Sequence, residues 1–329
     1  MKNVTRKIRS FFRVLRRALF DGLMLQGRRK QIPTKIIIEP TNLCNLKCSC
    51  CPHGNHAENG REKGLMSREM FVKILANIDL PVKEICLYLH GEPFLNNNLD
   101  FFVSQTDKLK GVLTSIYSNG YNIDIELLNR VLAYKKTRFS FSMDIINKEE
   151  YEQIRKPAVY KNAIESLQKI DAAFAGHNRK YELNIIANGN LSDNKQAFCN
   201  QLFSRFLRLR KISFTTKFPW PEHFYVGDLS GHIAKKRTLC EQITGGISVY
   251  WNGDATICSY DFSGKLLIGN LLDTSLSKLY NSSQARRIRK YHFFHRFVKL
   301  PVCKECLLPR FTNRTTSFNR PKETITKNE

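Results

Sequence analysis

The chain has 329 residues, 42% of them apolar and 25% charged, with 17 Gly and 11 Pro, a globular balance that excludes a mainly disordered, collagenous or coiled-coil protein. At roughly 100–200 residues per domain the length suggests two domains, and no apolar run approaches the roughly 18 residues needed to cross a bilayer. Fifty-three Lys and Arg against 29 Asp and Glu give a formal charge of +24, which favours anionic surfaces or substrates and carries no information about fold.

Residues 1–30 carry ten basic side chains and one acid, Asp21. Val4, Ile8, Phe11, Phe12, Leu15, Leu19 and Leu23 recur at steps of three and four, so the segment reads as a basic amphipathic helix. Such a helix either docks on an anionic membrane surface, where each basic residue contributes about 1 kcal/mol, or caps the protein body with its charges solvated. No secretory signal is read, because Asp21 interrupts the apolar stretch and no small-residue cleavage site follows. The expected location is cytoplasmic, with peripheral contact at the inner membrane face if the helix docks. In that compartment thiols stay reduced, so the ten cysteines point to metal or redox chemistry more than to disulfides.

From residue 35 to 216, short β-branched or aromatic runs alternate with longer segments at helical spacing, the signature of βα units on a parallel sheet. Strands are predicted at Lys35–Glu39, Glu84–His90, Leu113–Ser118, Arg138–Met143, Tyr181–Ala187 and Ile212–Thr216. Helices are predicted at Ser67–Ile78, Leu99–Leu109, Ile123–Tyr134, Lys161–Phe174 and Asn194–Leu207. Six such units form an α/β fold, a partial (β/α)6 TIM-type barrel, with its chemistry on the loops that leave the C-terminal strand ends. Residues 223–310 lose the alternation and become Gly-rich and cysteine-bearing, so a small α+β C-terminal domain is expected there. The boundaries read 1–30 for the helix, 31–222 for the barrel, 223–310 for the second domain and 311–329 for a tail too polar to fold, expected to be disordered.

Directly after the first predicted strand, Cys44, Cys48 and Cys51 are spaced C-x3-C-x2-C. Three thiolates on one tight loop can converge on one cofactor, and soft sulfur selects zinc, copper(I) or an iron–sulfur cluster. A structural zinc site wants four ligands, which here means borrowing Cys50 or His53; a cluster with one iron left open needs only three.

This loop resembles that of the radical S-adenosylmethionine (radical SAM) enzymes. The resemblance extends over residues 35–216 through motifs at successive strand ends. His90-Gly91-Glu92-Pro93 looks like the Gly-Gly-Glu-Pro segment that holds the SAM amino group, and a carboxylate at a strand end suits an ammonium ion. Ser118-Asn119-Gly120 resembles the Thr-Asn-Gly turn. Ser142-Met143-Asp144 is similar to the Ser-x-Asp element facing the ribose, and Arg155 follows as a partner for the SAM carboxylate. Asn188 matches a recurrent polar position past the fifth strand. Two positions depart from the family: Cys50 replaces an aromatic that contacts adenine, and His90 replaces a glycine. His90 either reaches into the active site or is a satisfied strand-end histidine. Cys86 and Cys199 sit in apolar patterns and read as small core residues.

Further on, Cys240, Gly253, Cys258, Cys303 and Cys306 follow the pattern C-x12-G-x4-C … C-x2-C, with a hairpin predicted to turn at Asn252-Gly253. By chemistry alone the four thiolates suit a zinc ribbon or a four-iron four-sulfur cluster. The order resembles the SPASM extension of radical SAM enzymes and implies one auxiliary cluster fully ligated by Cys240, Cys258, Cys303 and Cys306. From Thr274 to Lys304 there are eight Lys or Arg and no acid, either a solvated face or a contact for anions.

The resemblance implies a 4Fe-4S cluster on Cys44, Cys48 and Cys51 that binds and reductively cleaves SAM, releasing a 5′-deoxyadenosyl radical that removes a substrate hydrogen. The auxiliary cluster is the expected electron acceptor and flavodoxin or ferredoxin the expected electron donor. The expected substrate is small and polar or carbohydrate-like. A ribosomal peptide or RNA is the alternative within the enzyme class, and a zinc-stabilised nucleic-acid-binding protein the alternative outside it. That last reading leaves the Gly-Glu-Pro, Ser-x-Asp and Arg155 matches unexplained and finds no basic–aromatic stacking platform, so nucleic acid is not the expected partner.

Overall fold

Six short, mostly buried strands set the architecture of the protein, seen in a computed structural model that describes residues 32–52, 61–187, 195–216, 240, 242–304, 306–307 and 316–321. These segments are β1 (Lys35–Ile38), β2 (Glu84–Leu87), β3 (Leu113–Ser118), β4 (Thr137–Ser142), β5 (Tyr181–Ala187) and β6 (Leu209–Thr216). They pair in chain order and all in parallel. Between them run α1 (Arg68–Ala76), α2 (Leu99–Asp107), α3 (Ile125–Leu132), α4 (Lys148–Ile154), α5 (Tyr160–Gly176) and α6 (Lys195–Arg205). The sheet stays open, which makes the expected partial barrel. Side-chain caps start the helices where the sequence places Ser, Asp and Asn: Ser67 accepts from Met70 N, Asp124 from Glu126 N and Leu127 N, and Asn147 from Glu150 N. Each such cap contributes about 1 kcal/mol.

The two faces of the sheet differ in chemistry. Ile36, Ile38, Ile85, Leu87, Phe139, Phe141, Leu183 and Ile185 are buried in the core that the helices cover, where Phe71 of α1 stacks on Phe102 of α2 at 4.3 Å. The inner face is polar. Strand register puts Lys35 opposite Glu84, Ser115 opposite Arg138 and Glu182 opposite Lys211. The result is a row of alternating charge across β1, β2, β4, β5 and β6, knit by Arg138 Nη2 donating to Glu84 Oε1 at 2.8 Å. A face lined in this way borders a polar interior, because unpaired charges are not packed against apolar groups.

Both sheet edges are extended by the C-terminal third. After α7 (Gln242–Gly245), β7 (Gly246–Val249) pairs in parallel with β1, and β8 (Asp254–Thr256) and β9 (Leu267–Asn270) follow antiparallel. The predicted hairpin turn lies between β7 and β8, and α8 (Leu276–Tyr280) and α9 (Ser283–Phe293) complete this part. It therefore continues the barrel sheet instead of forming a separate one. At the far edge, β10 (Thr316–Asn319) pairs antiparallel with β6. This corrects the expectation of a disordered 311–329 tail for these residues. Phe318 packs its ring against Phe214 at 5.8 Å, and Arg320 Nε donates to Leu209 O at 2.9 Å; an edge supplies backbone partners that composition does not reveal. The amphipathic segment 1–30 and the end of the tail lie outside the described residues. No described helix is long and apolar enough to cross a membrane.

Candidate cofactor site

β1 delivers the chain to Glu39 and then to a loop whose shape is fixed before the first cysteine. Thr41 Oγ1 donates to Gly64 O at 2.6 Å and accepts from Leu43 N at 3.0 Å, and the Asn42 side chain bridges Glu62 O and Gly64 N. Past Cys44 the loop lies along the end of α4 and the segment that follows it: Ser49 N donates to Ile154 O at 2.9 Å and Lys47 N to Lys156 O at 2.6 Å. Cys48 is buried, and Cys44, Cys50 and Cys51 are half-buried. Burial pushes the Cys44 thiol up to about 12 and raises Cys48 as well. Thiolates here need compensating positive charge, which an iron centre supplies and a solvent-poor loop does not.

The loops after β2, β3 and β4 converge on this one. Gly91 is packed so tightly that a Cβ there would stand 2.3 Å from Thr41 O and 2.5 Å from Leu43 O; no side chain fits between the two loops. Glu92, 3% exposed, accepts from Asn119 N at 2.7 Å and from Phe94 N at 3.2 Å, and Pro93 opens a single 3-10 turn. Burial pushes the Glu92 carboxyl up to about 6. Asn119 Nδ2 donates to Asn45 Oδ1 at 2.7 Å and lies 3.9 Å from Cys44 Sγ. The buried Ser118 hydroxyl accepts from Gly120 N at 3.0 Å and closes the turn, where Gly120 has φ +68°.

From β4, Asp144 accepts from Ile186 N at 2.6 Å and from Arg155 Nε at 2.8 Å, both side chains being buried. Arg155 Nη1 points at Cys48 Sγ, 3.7 Å away, and Nη2 is buried with no partner among the described residues. An orphaned guanidinium donor and an unpaired buried carboxylate on the two sides of a cysteine loop suit a zwitterion carrying a carboxylate and an ammonium. Ser142, the last residue of β4, is opposite Asn184 of β5 in the sheet register. Asn188 and His53 lie outside the described residues.

His90 proves to be a satisfied histidine, and it belongs to a network the sequence did not announce. Its Nε2 lies 3.0 Å from Ser259 O, and its Nδ1 lies 3.2 Å from Arg61 Nη1 and 3.5 Å from Glu39 Oε1. Arg61 also pairs with the fully buried Glu39 at 2.5 Å, and Trp251 N donates to Glu39 at 3.2 Å. Burial works against the Glu39 charge, yet His90 and Arg61 hold its carboxyl below the usual range. The only sequence signal for Glu39 was a charge ending an apolar strand.

The second group of cysteines also converges. Cys240, Cys258, Cys303 and Cys306 are all buried. Burial, with Cys240 and Cys303 close by, raises the Cys258 thiol well above its ordinary value, and Tyr260 is near enough to Cys258, Cys240 and Cys306 to feel their charge. Asp261 holds the turn after Cys258 by accepting from Thr256 Oγ1, Lys265 N and Leu266 N. His292, on α9, places Nε2 3.2 Å from Cys303 Sγ. Among the described residues no group of three or more His, Cys, Asp or Glu is set to hold a single metal ion. Cys86 and Cys199 are fully buried, in β2 and α6.

Comparison with known proteins agrees with this layout. The sequence model of the Radical SAM superfamily matches residues 38–189, and that of the SPASM iron-sulfur cluster-binding domain matches residues 240–307. A GTP 3′,8-cyclase of Aliarcobacter butzleri is 28% identical over 134 residues, 40% of this chain and 41% of that protein. Among solved structures, Streptococcus suis SuiB bound to S-adenosylmethionine superposes with a TM-score of 0.64 at 14% identity, covering 90% of this chain and 77% of that one. BtrN in complex with AdoMet and 2-DOIA gives 0.55 at 17% identity, covering 84% and 94%.

Proposed function

Since the chain belongs to the radical SAM superfamily of enzymes and carries an iron–sulfur SPASM domain, we propose that it removes a hydrogen from a small polar substrate and passes the substrate's electron to an auxiliary cluster. When bound, the 4Fe-4S cluster and SAM supply one-electron cleavage of the sulfonium and the carbon radical that takes the hydrogen. Cys44, Cys48 and Cys51 are the ligands we assign to that cluster. Glu92 takes the SAM ammonium and the free Nη2 of Arg155 its carboxylate, while Asp144 keeps the guanidinium oriented. Asn119 holds the Cys44 and Glu92 loops in register, and Ser142 and Asn188 are assigned to the nucleoside. Cys240, Cys258, Cys303 and Cys306 hold the auxiliary cluster.

The observation that carries this reading is Arg155, which ties the cysteine loop to Asp144 and keeps one buried donor unspent. A small polar substrate is supported by the polar inner face of the barrel and by a relative whose name places it on GTP. A flavodoxin or ferredoxin serves as electron donor, and residues 1–30 give the cytoplasmic enzyme peripheral contact with the membrane.

The test is 5′-deoxyadenosine release from anaerobically reconstituted protein given SAM and a strong reductant. The wild type is expected to release it and the Cys44/Cys48/Cys51→Ala variant to release none. Zinc in place of iron and sulfide in the protein as isolated would overturn the reading.

A further inference from the structure

Where the inner face of β1 and β2 meets the C-terminal segment, the protein forms a half-open cavity of about 230 Å3, smaller than most ligand pockets. Its walls include Lys35 of β1, Tyr88 beyond β2, Gln242 of α7, Ser248 of β7, and Ser259 and Tyr260 from the turn that follows Cys258. None of the seven candidate ligand cysteines lines it, nor do Glu92, Asn119, Asp144 or Arg155. The cavity is therefore a third space, distinct from those that two clusters and SAM would fill. One wall adjoins the auxiliary cysteines, because Tyr260 lies beside Cys258, Cys240 and Cys306. Another belongs to β1 and β2, whose C-terminal loops carry Cys44 and Glu92.

Lys35 gives the cavity its chemical character. Its Nζ stands 5.9 Å from the ring centroids of Tyr88 and Tyr117, and Cys86 offers it only a thiol. Glu84, opposite it in the register, is already bound by Ser115 Oγ at 2.6 Å and Arg138 Nη2 at 2.8 Å. No described carboxylate forms an ion pair with Lys35. Although burial works against its charge, Cys86, Tyr117 and Glu84 raise its pKa, so it is a cation at any working pH. The remaining lining is neutral, with Ile37, Ile247 and Ile257 as its apolar part; Gln242 Oε1 accepts from Ser259 Oγ at 2.7 Å, which leaves the Gln242 amide N–H groups for an occupant, and the Ser248 hydroxyl has no protein partner among the described residues.

We propose that this cavity is the substrate pocket and that it takes a small polyol-like molecule bearing one anionic group, a carboxylate or a phosphate, anchored by Lys35. A lone half-buried cation selects one anion, and the amide and hydroxyls accept or donate to the hydroxyls of a polyol. The proposal rests on the enzymatic reading above, but it is tested by binding, independently of SAM cleavage.

Reconstituted, SAM-loaded protein is titrated with glycerol 3-phosphate, glycerate and glycerol. In parallel, acetylation of Lys35 is mapped by mass spectrometry with each ligand. The two anions are expected to give a saturable component and to protect Lys35, glycerol to do neither, and the stronger of the two anions identifies the charged group. Lys35→Gln and Ser248→Leu, the latter filling the cavity without altering charge, should each weaken the saturable component at least tenfold, whereas Lys35→Arg keeps most of it. SAM binding by each variant reports its folding. No saturable binding in the wild type, equal binding of glycerol, or saturable binding that survives both Lys35→Gln and Ser248→Leu would overturn the proposal. Failure of 5′-deoxyadenosine release with this binding pattern intact would overturn the enzymatic reading alone.

Discussion

Glu92 is buried without an ion-pair partner among the described residues, and its pH behaviour follows from that. Burial raises its pKa from 4.5 to about 6, so the folded chain holds this proton more tightly than the unfolded one. Its contribution to stability is fully present below about pH 4.5 and is lost as the pH rises through about 6. A shift of that size corresponds to about 2 kcal/mol. In metal-free, reduced protein the denaturant midpoint should therefore fall across this window, and Glu92→Gln should flatten the step; the same slope in the variant would assign it to another group. In the role proposed above, a ligand ammonium offsets the cost, so the residue assigned to bind it is also one that strains the empty protein. The placing of Glu92, Asp144 and Arg155 around the cysteine loop was legible in sequence because short motifs carry them. His90 was visible only as a departure from a pattern, and Arg61 and His292 had no signal of their own. Their roles come from Glu39, Ser259 and Cys303, partners that no local spacing can name.

At the scale of elements, legibility followed periodicity. β3 and β5 lie where the alternation puts them, Leu113–Ser118 and Tyr181–Ala187. α4 went unseen because Lys148–Ile154 offers only Tyr151 and Ile154 as apolar positions, too few to show a helical period. β10 went unseen because its burial is slight and its stability comes from the edge of β6. An unpaired parallel edge is a template for association. A chain ending before Thr316 should therefore scatter more light at equal concentration, while the loops that carry Cys44 and Glu92 stay as they are. Identical solution behaviour of the two chains would show that β10 does not guard the edge.

For the whole molecule, the barrel and the C-terminal iron–sulfur cluster-binding domain share one continuous sheet. β7 is as much a neighbour of β1 as β2 is, and His90 reaches Ser259 across 169 residues. Such pairings have no sequence signature, since each strand looks complete by itself. A chain ending at residue 239 would lose the partner of one whole edge of β1, along with the Trp251 N–H on the buried Glu39. It should be insoluble or lack a cooperative unfolding transition, whereas a soluble, cooperatively folded 1–239 would mean that the barrel stands alone. The same pairing sets an order of events during synthesis. Thr34 and its partner Gly245 are 211 residues apart, which a ribosome covers in roughly 10 to 40 s at ordinary elongation rates. For that interval the nascent chain displays an open β1 edge beside the four thiols of Cys44, Cys48, Cys50 and Cys51, a state that calls for chaperone cover and shelter from oxidants.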